Sequence, residues 1–198
     1  MARGPVDLSR RCARCLFPPD ACLCPDVRPV ETRTRLLLLR HASEIPRPTN
    51  SGRWAALALP QLRLVDYALP GDEPDLSALE EPGTAVLFPS PHPPPLGPPP
   101  RQVVVLDATW AQARRMIQRI PALRSLPRLS LPPRAPRPVD PIRRPTVAGG
   151  LCTLEAMAGL LHLLGEAEAG LALDALHAAA LDRSWRLRRG AAAAAKTG

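Results

Sequence analysis

Apolar positions along the chain gather into short continuous runs separated by polar or proline-rich stretches. Four runs have strand length: Arg33–Arg40 (RTRLLLLR), Leu62–Leu69 (LRLVDYAL), Thr84–Phe88 (TAVLF) and Gln102–Leu106 (QVVVL). Uninterrupted runs such as Val103–Leu106 predict strands covered on both faces, as in a parallel sheet. Between them the pattern predicts helices over about Gly52–Leu59, Leu76–Glu81 and Trp110–Ile120. The Ala- and Leu-rich stretch Thr153–Arg189 predicts two more, ending near Gly165 and Gly190. Strand alternating with helix gives an α/β domain with a mostly parallel sheet and flanking helices.

Both ends depart from this pattern. Residues 1–30 lack hydrophobic periodicity and read as a small cysteine-rich module, 31–190 as the main domain and 191–198 as a disordered tail. Two proline-rich connectors, Pro89–Pro100 and Pro127–Pro145, read as stiff extended loops, because proline fixes φ and removes amide donors. The second connector carries Arg128, Arg134, Arg137, Arg143 and Arg144. Arg183, Arg186, Arg188 and Arg189 cluster near the end of the last helix, where cations suit the helix dipole as well as they would suit RNA.

Composition narrows the class. With 45% hydrophobic and 22% charged residues over 198 positions, the chain is globular rather than disordered. A net charge of +8 points to a polyanionic partner, and nearly all of the basic character is arginine, Lys196 being the sole lysine. No run approaches the ~18 apolar residues of a membrane span. The residues before the first cysteine lack the apolar core of a signal peptide. A cytoplasmic protein with reduced thiols, no membrane association and no obligate protein partner is expected.

Cys12, Cys15, Cys22 and Cys24 follow the spacing C-x2-C-x6-C-x-C. A two-residue gap lets two thiolates face one ion, and the second pair completes a tetrahedron. Four protein ligands leave no open position, so a structural Zn2+ is expected, with an iron–sulfur cluster as the alternative. In so short a module the metal would itself supply folding energy. Cys152 stands apart in an apolar context and reads as a packing residue.

Directly after the run Gln102–Leu106 comes Asp107-Ala108-Thr109-Trp110. A polar cluster at the carboxyl end of a buried parallel strand is where α/β proteins place ligand sites. Taken alone, Asp107 also suits a helix N-cap and Trp110 a core aromatic. The tetrapeptide does not stand alone. Together with the cysteine module, Arg40-His41 through Glu44, Arg47, Thr49-Asn50 and Gly52, then Leu87-Phe88-Pro89-Ser90, and finally Leu151-Cys152-Thr153-Leu154-Glu155-Ala156, it makes five blocks in series. In these blocks the chain resembles the DTW-domain family, named for its Asp-x-Thr-Trp signature.

That resemblance implies a SPOUT-related α/β fold with a knotted C-terminal region that binds S-adenosylmethionine. It further implies transfer of a 3-amino-3-carboxypropyl group to N3 of a tRNA uridine, with release of methylthioadenosine. By resemblance Leu87, Phe88, Pro89, Ser90, Asp107, Thr109, Trp110, Thr153, Leu154 and Glu155 surround the donor, and Asp107, Thr109 and Trp110 form the catalytic corner. Asp107 is the candidate base for uridine N3–H, or else it orients the donor's amino group. Arg40, His41, Arg47, Asn50, Arg143 and Arg144 are candidate RNA contacts. A SPOUT-type RNA methyltransferase and a non-catalytic zinc-ribbon RNA-binding module are the alternatives. The chain departs from the family in having Cys152 where Ser is usual, and in the connector Asp140–Arg144, which lacks the family's usual Tyr-x-Leu-Arg-type run.

Overall fold

The apolar runs fold into parallel strands. The computed structural model describes residues 7–71, 73–91, 98–132 and 150–197, with side chains through residue 189. Among these residues the sheet consists of β1 (Arg35–His41), β2 (Arg63–Tyr67), β3 (Thr84–Leu87), β4 (Gln102–Asp107) and β5 (Arg128–Leu129). Their order is β2-β1-β4-β3-β5, and every neighbouring pair is parallel. β5 was not expected from the sequence. It pairs with Val86 and Leu87 through only two residues inside a proline-rich run, too few to leave a periodic signal.

Side chains alternate across the sheet, as the two-residue period of a strand requires. Leu36, Leu38, Val103 and Val105 face one layer, packing with Trp54, Leu154, Leu161 and Leu173. Leu37, Leu39, Val86 and Val104 face the other, packing with Met116, Ile117 and Leu123. Burying each such side chain contributes roughly 1.5–3 kcal/mol. The first layer is built by α1 (Ser51–Ala58), α4 (Thr153–Leu163) and α5 (Ala167–Thr197), the second by α2 (Trp110–Arg119) and α3 (Pro121–Ser125).

Local chemistry sets the helix ends. Asn50 caps α1, its Oδ1 accepting from the Arg53 amide at 2.8 Å. Thr109 and Gln112 form a capping box at the start of α2. Gly165, at φ 72°, turns the chain between α4 and α5, a conformation glycine adopts without steric cost. Two expectations are corrected. Leu76–Glu81 forms a single 3-10 turn over Ser77–Glu80 rather than a longer helix. The last helix does not stop near Gly190 but runs on to Thr197, because Ala191–Ala195 has the best helix propensity of any composition and outweighs one glycine.

The cysteine module has no core of its own. Cys15, Phe17 and Leu23 belong to the same buried cluster as Leu36, Leu38 and Trp54. Phe17 stacks on Trp54 at 5.3 Å, and Trp54 Nε1 donates to the Cys15 carbonyl at 2.9 Å. Arg183 of α5 donates to the Cys22 carbonyl and pairs with Asp26, so that residue serves internal docking. Among the described residues no helix is long and apolar enough to cross a membrane.

The connections locate a crevice. β1 leads outward through α1 to β2 on one side, whereas β4 leads through α2 and α3 past β3 to β5 on the other. The β1–β4 boundary is therefore the point where the chain departs in opposite directions, and ligands of open α/β sheets bind beyond the strand ends at that point.

Candidate active site and metal centre

Asp107 is the last residue of β4 and lies in register with Arg40 of β1, at that boundary. It is 3% exposed. Its Oδ2 accepts from Asn50 Nδ2 and its Oδ1 from the Thr153 hydroxyl, both at 2.6 Å. Asn50 caps α1, Thr153 opens α4, and α2 starts three residues beyond Asp107. Three helix N-termini thus converge on one carboxylate, and their partial positive charge favours an anion there. Gly52 makes the approach possible, since a Cβ at that position would lie 2.6 Å from Asp107 Oδ2. Burial raises the Asp107 pKa above the ordinary carboxylate value, opposed by the hydrogen bonds from Asn50 and Thr153. Among the described residues no cation pairs with it. A buried carboxylate held only by neutral donors suits either a cationic ligand or a transferable proton.

The polar set after β1 lies differently from what was expected of RNA contacts. Arg40 is buried, and its fork grips Asp66 of β2 through Nε (2.7 Å) and Nη2 (3.0 Å), forming a cross-strand clamp. Asn50 points inward to Asp107 and is likewise buried. Their side chains therefore serve the protein's interior rather than a phosphate. Arg47 stays half-exposed, bonded to the Ser43 carbonyl (3.0 Å) and 3.3 Å from Glu44. His41 accepts from the Ser43 amide through Nδ1 at 3.1 Å, and burial lowers its pKa, favouring the neutral ring. Arg143 and Arg144 lie outside the described residues.

The residues expected around a donor separate into two groups. Phe88, just beyond β3, packs against the half-buried Trp110 with ring centroids 6.0 Å apart. The Ser130 hydroxyl accepts from the Ser90 amide at 2.8 Å and donates to the Phe88 carbonyl at 3.4 Å, holding Leu87–Ser90 against the end of β5. Thr153 reaches Asp107. By contrast, Leu154 has no exposed surface, and Glu155 folds back on the Cys152 amide at 2.9 Å. Thr109 is engaged with Gln112, donating its amide (3.0 Å) and hydroxyl (2.7 Å) to Oε1. Burial pushes the Cys152 thiol up to about 12, so it stays protonated and serves packing.

A family model, the DTW domain, matches residues 9–184. The chain belongs to the DTW-domain family. No solved structure matches it. In this DTW-domain protein the Asp-x-Thr-Trp signature divides its labour. Asp107 is the buried acceptor, Thr109 fixes the start of α2, and Trp110 presents an aromatic face beside Phe88.

Sequence reasoning missed several participants. Gln112 Nε2 donates to Ser43 Oγ at 2.9 Å, tying the DTW helix to the turn after β1. Its role was readable, since Thr109-x-x-Gln112 is a capping-box spacing. Ser51 accepts from the Leu154 amide at 3.3 Å, and Arg53 donates to the Ile45 carbonyl at 2.8 Å. These two depend on contacts distant in sequence, or on loop shape, and leave no spacing signal.

The four module cysteines converge. Cys12 and Cys24 Sγ atoms lie 3.7 Å apart, as do those of Cys15 and Cys22, and all four sulfurs lie within 4.8 Å of one another. A disulfide would need about 2.05 Å, whereas tetrahedral zinc with Zn–S bonds of about 2.3 Å separates its sulfurs by about 3.8 Å. Backbone amides of Cys15 and Arg14 pull the Cys12 pKa down to about 6, and the Leu23 amide donates to Cys15 Sγ at 3.4 Å. Amide donors aimed at sulfur are the surroundings a metal thiolate needs. The donor set fits structural zinc.

Proposed function

We propose that this DTW-domain protein transfers a 3-amino-3-carboxypropyl group from S-adenosylmethionine to N3 of a tRNA uridine, releasing methylthioadenosine. Family membership is consistent with a tRNA-modifying enzyme. The observation that carries the finer reading is Asp107, a buried carboxylate at the carboxyl end of a central strand that has, among the described residues, no cation in an ion pair with it. When bound, the donor supplies a sulfonium whose γ-carbon is open to displacement.

The chain's own residues do the rest. Uridine N3–H is a weak acid, so a base assists its attack; Asp107, its pKa raised by burial, accepts that proton as the N3–Cγ bond forms and the Cγ–S bond breaks. Asn50 and Thr153 fix the two carboxylate oxygens, and Gly52 leaves room for them. Phe88 and Trp110 offer aromatic surface to a planar ring. The cysteine-bound zinc has no open coordination position and acts structurally.

Mass spectrometry of nucleosides from tRNA incubated with protein and donor tests the reading, with aminocarboxypropyl-uridine and methylthioadenosine as expected products. A methylated nucleoside with S-adenosylhomocysteine would make the protein a methyltransferase instead. Asp107→Asn is expected to retain donor binding in calorimetry and lose turnover. Loss of donor binding would assign Asp107 to orienting the donor's amino group.

A further inference from the structure

Five arginines and no acidic residue occupy Ala108–Pro132, the stretch that forms α2, α3 and β5. Arg114, Arg115 and Arg119 are exposed on α2, and Arg124 is exposed on α3. Six arginines elsewhere, Arg35, Arg40, Arg47, Arg63, Arg183 and Arg186, each pair with a carboxylate. Among the described residues none of the five in this stretch does. Arg115 and Arg119, four apart on one helix, repel each other. Such a face is electrostatically unfavourable alone and becomes favourable once an extended polyanion lies along it.

The face is continuous with the site. α2 begins at Trp110, and Arg115 in its second turn is close enough to His41 to act on its charge. From β5, Arg128 lies over the Phe88 ring at 5.6 Å, and Phe88 packs on Trp110. One guanidinium, from β5, therefore reaches the aromatic pair, and α2, which starts at Trp110, carries three more away from it. α2 is about 15 Å long, enough to meet several phosphates of a nucleic acid backbone.

We infer that the outer face of α2 and α3, with Arg128 at its site end, carries the RNA phosphate backbone while one base enters beside Trp110. This rests on the RNA reading above and relocates the docking surface from the polar set after β1 to the DTW helix. An acidic protein partner would match the charge, but it would not account for Arg128 meeting an aromatic pair at the site.

The test measures binding of unfractionated tRNA to the zinc-loaded protein across a salt series. The variant Arg114→Gln/Arg115→Gln/Arg119→Gln is compared with wild type and with the control Arg35→Gln/Arg63→Gln, whose arginines pair with Glu81 and Asp75. Each lost phosphate contact lowers the log–log salt slope by about 0.7–0.9. The triple variant should therefore lose about 2 to 3 in slope, while the control keeps the wild-type slope and circular dichroism shows all three folded. A triple variant that keeps the wild-type slope overturns the assignment and leaves the transferase reading intact. Wild-type protein that shows no salt-dependent tRNA binding overturns both.

Discussion

At the scale of single residues, the site is a balance of forces on Asp107. Burial disfavours its charged form, whereas Asn50 and Thr153 favour it. Because the folded pKa lies above the unfolded one, the folded protein holds a proton that the unfolded chain has lost in the window between them. Stability from this group is thus full below the ordinary value of 3.8 and is lost as pH rises through the raised folded value. As the base, Asp107 must be ionised, so kcat/KM falls on the acid side of that same folded value. Removing one hydrogen bond to a charged group costs about 1.5–3 kcal/mol, equivalent to about one to two pH units. Thr153→Val should therefore move the acid limb of the pH–rate profile upward by about that much; an unmoved limb would show that Asp107 does not govern it. Gly52→Ala probes the same carboxylate sterically. Alanine favours the helix by up to about 1 kcal/mol, yet its Cβ needs space that Asp107 occupies. The expected outcome is a folded protein with kcat reduced on the order of 100-fold, and undiminished turnover would mean that the carboxylate's position is not critical.

At the scale of elements, the site is assembled from helix starts, and that governs how much of it was legible. Strand length, continuous apolar runs and the strand-end motif were enough to place Asp107, Thr109 and Trp110 at and just beyond the carboxyl end of a strand. Asn50 was visible as a polar residue before α1, but a sequence does not show whether such a side chain turns outward to RNA or inward to a carboxylate. The setting of Arg40 is hidden from the sequence for a related reason: its partner Asp66 lies on the neighbouring strand, and the pairing exists only once β1 and β2 are in register. Thr109 shows how an element end serves the site. Its capping box sets where α2 begins, hence where Trp110 and the arginine face point. Losing a cap costs about 1 kcal/mol, so Thr109→Ala should lower Tm by about 2–4 °C, while Thr109→Ser, which keeps the hydroxyl, should hold it. Equal loss in both variants, read by differential scanning calorimetry, would assign the effect to the threonine methyl rather than to the cap.

At the scale of the whole molecule, the composition break at residue 30 marks a small cysteine-rich module, and the packing joins it to the sheet. Sequence could not reveal this, because Phe17 and Leu23 carry no periodicity and Trp54 lies far along the chain. The stacked Phe17–Trp54 pair, the Trp54–Cys15 hydrogen bond and the Arg183 bridge to Cys22 and Asp26 couple the cysteine cluster to α1 and α5. Structural zinc contributes about 10–16 kcal/mol of apparent folding energy in small fingers at neutral pH, comparable with the about 5–15 kcal/mol that holds a whole domain together. If the module folded alone, chelation would melt residues up to about 30 and leave the α/β domain intact. With Phe17, Cys15 and Leu23 built into the main core, metal loss instead exposes Trp54 and the α1 and α5 surfaces beneath it. A strong zinc chelator is therefore expected to lower the midpoint of a single cooperative transition, with tryptophan fluorescence and far-ultraviolet circular dichroism shifting together. Cys15→Ser should reproduce the shift without chelator, because it removes both a ligand and a buried core side chain. Two separate transitions, the later one at the zinc-loaded midpoint, would show the module to be energetically independent.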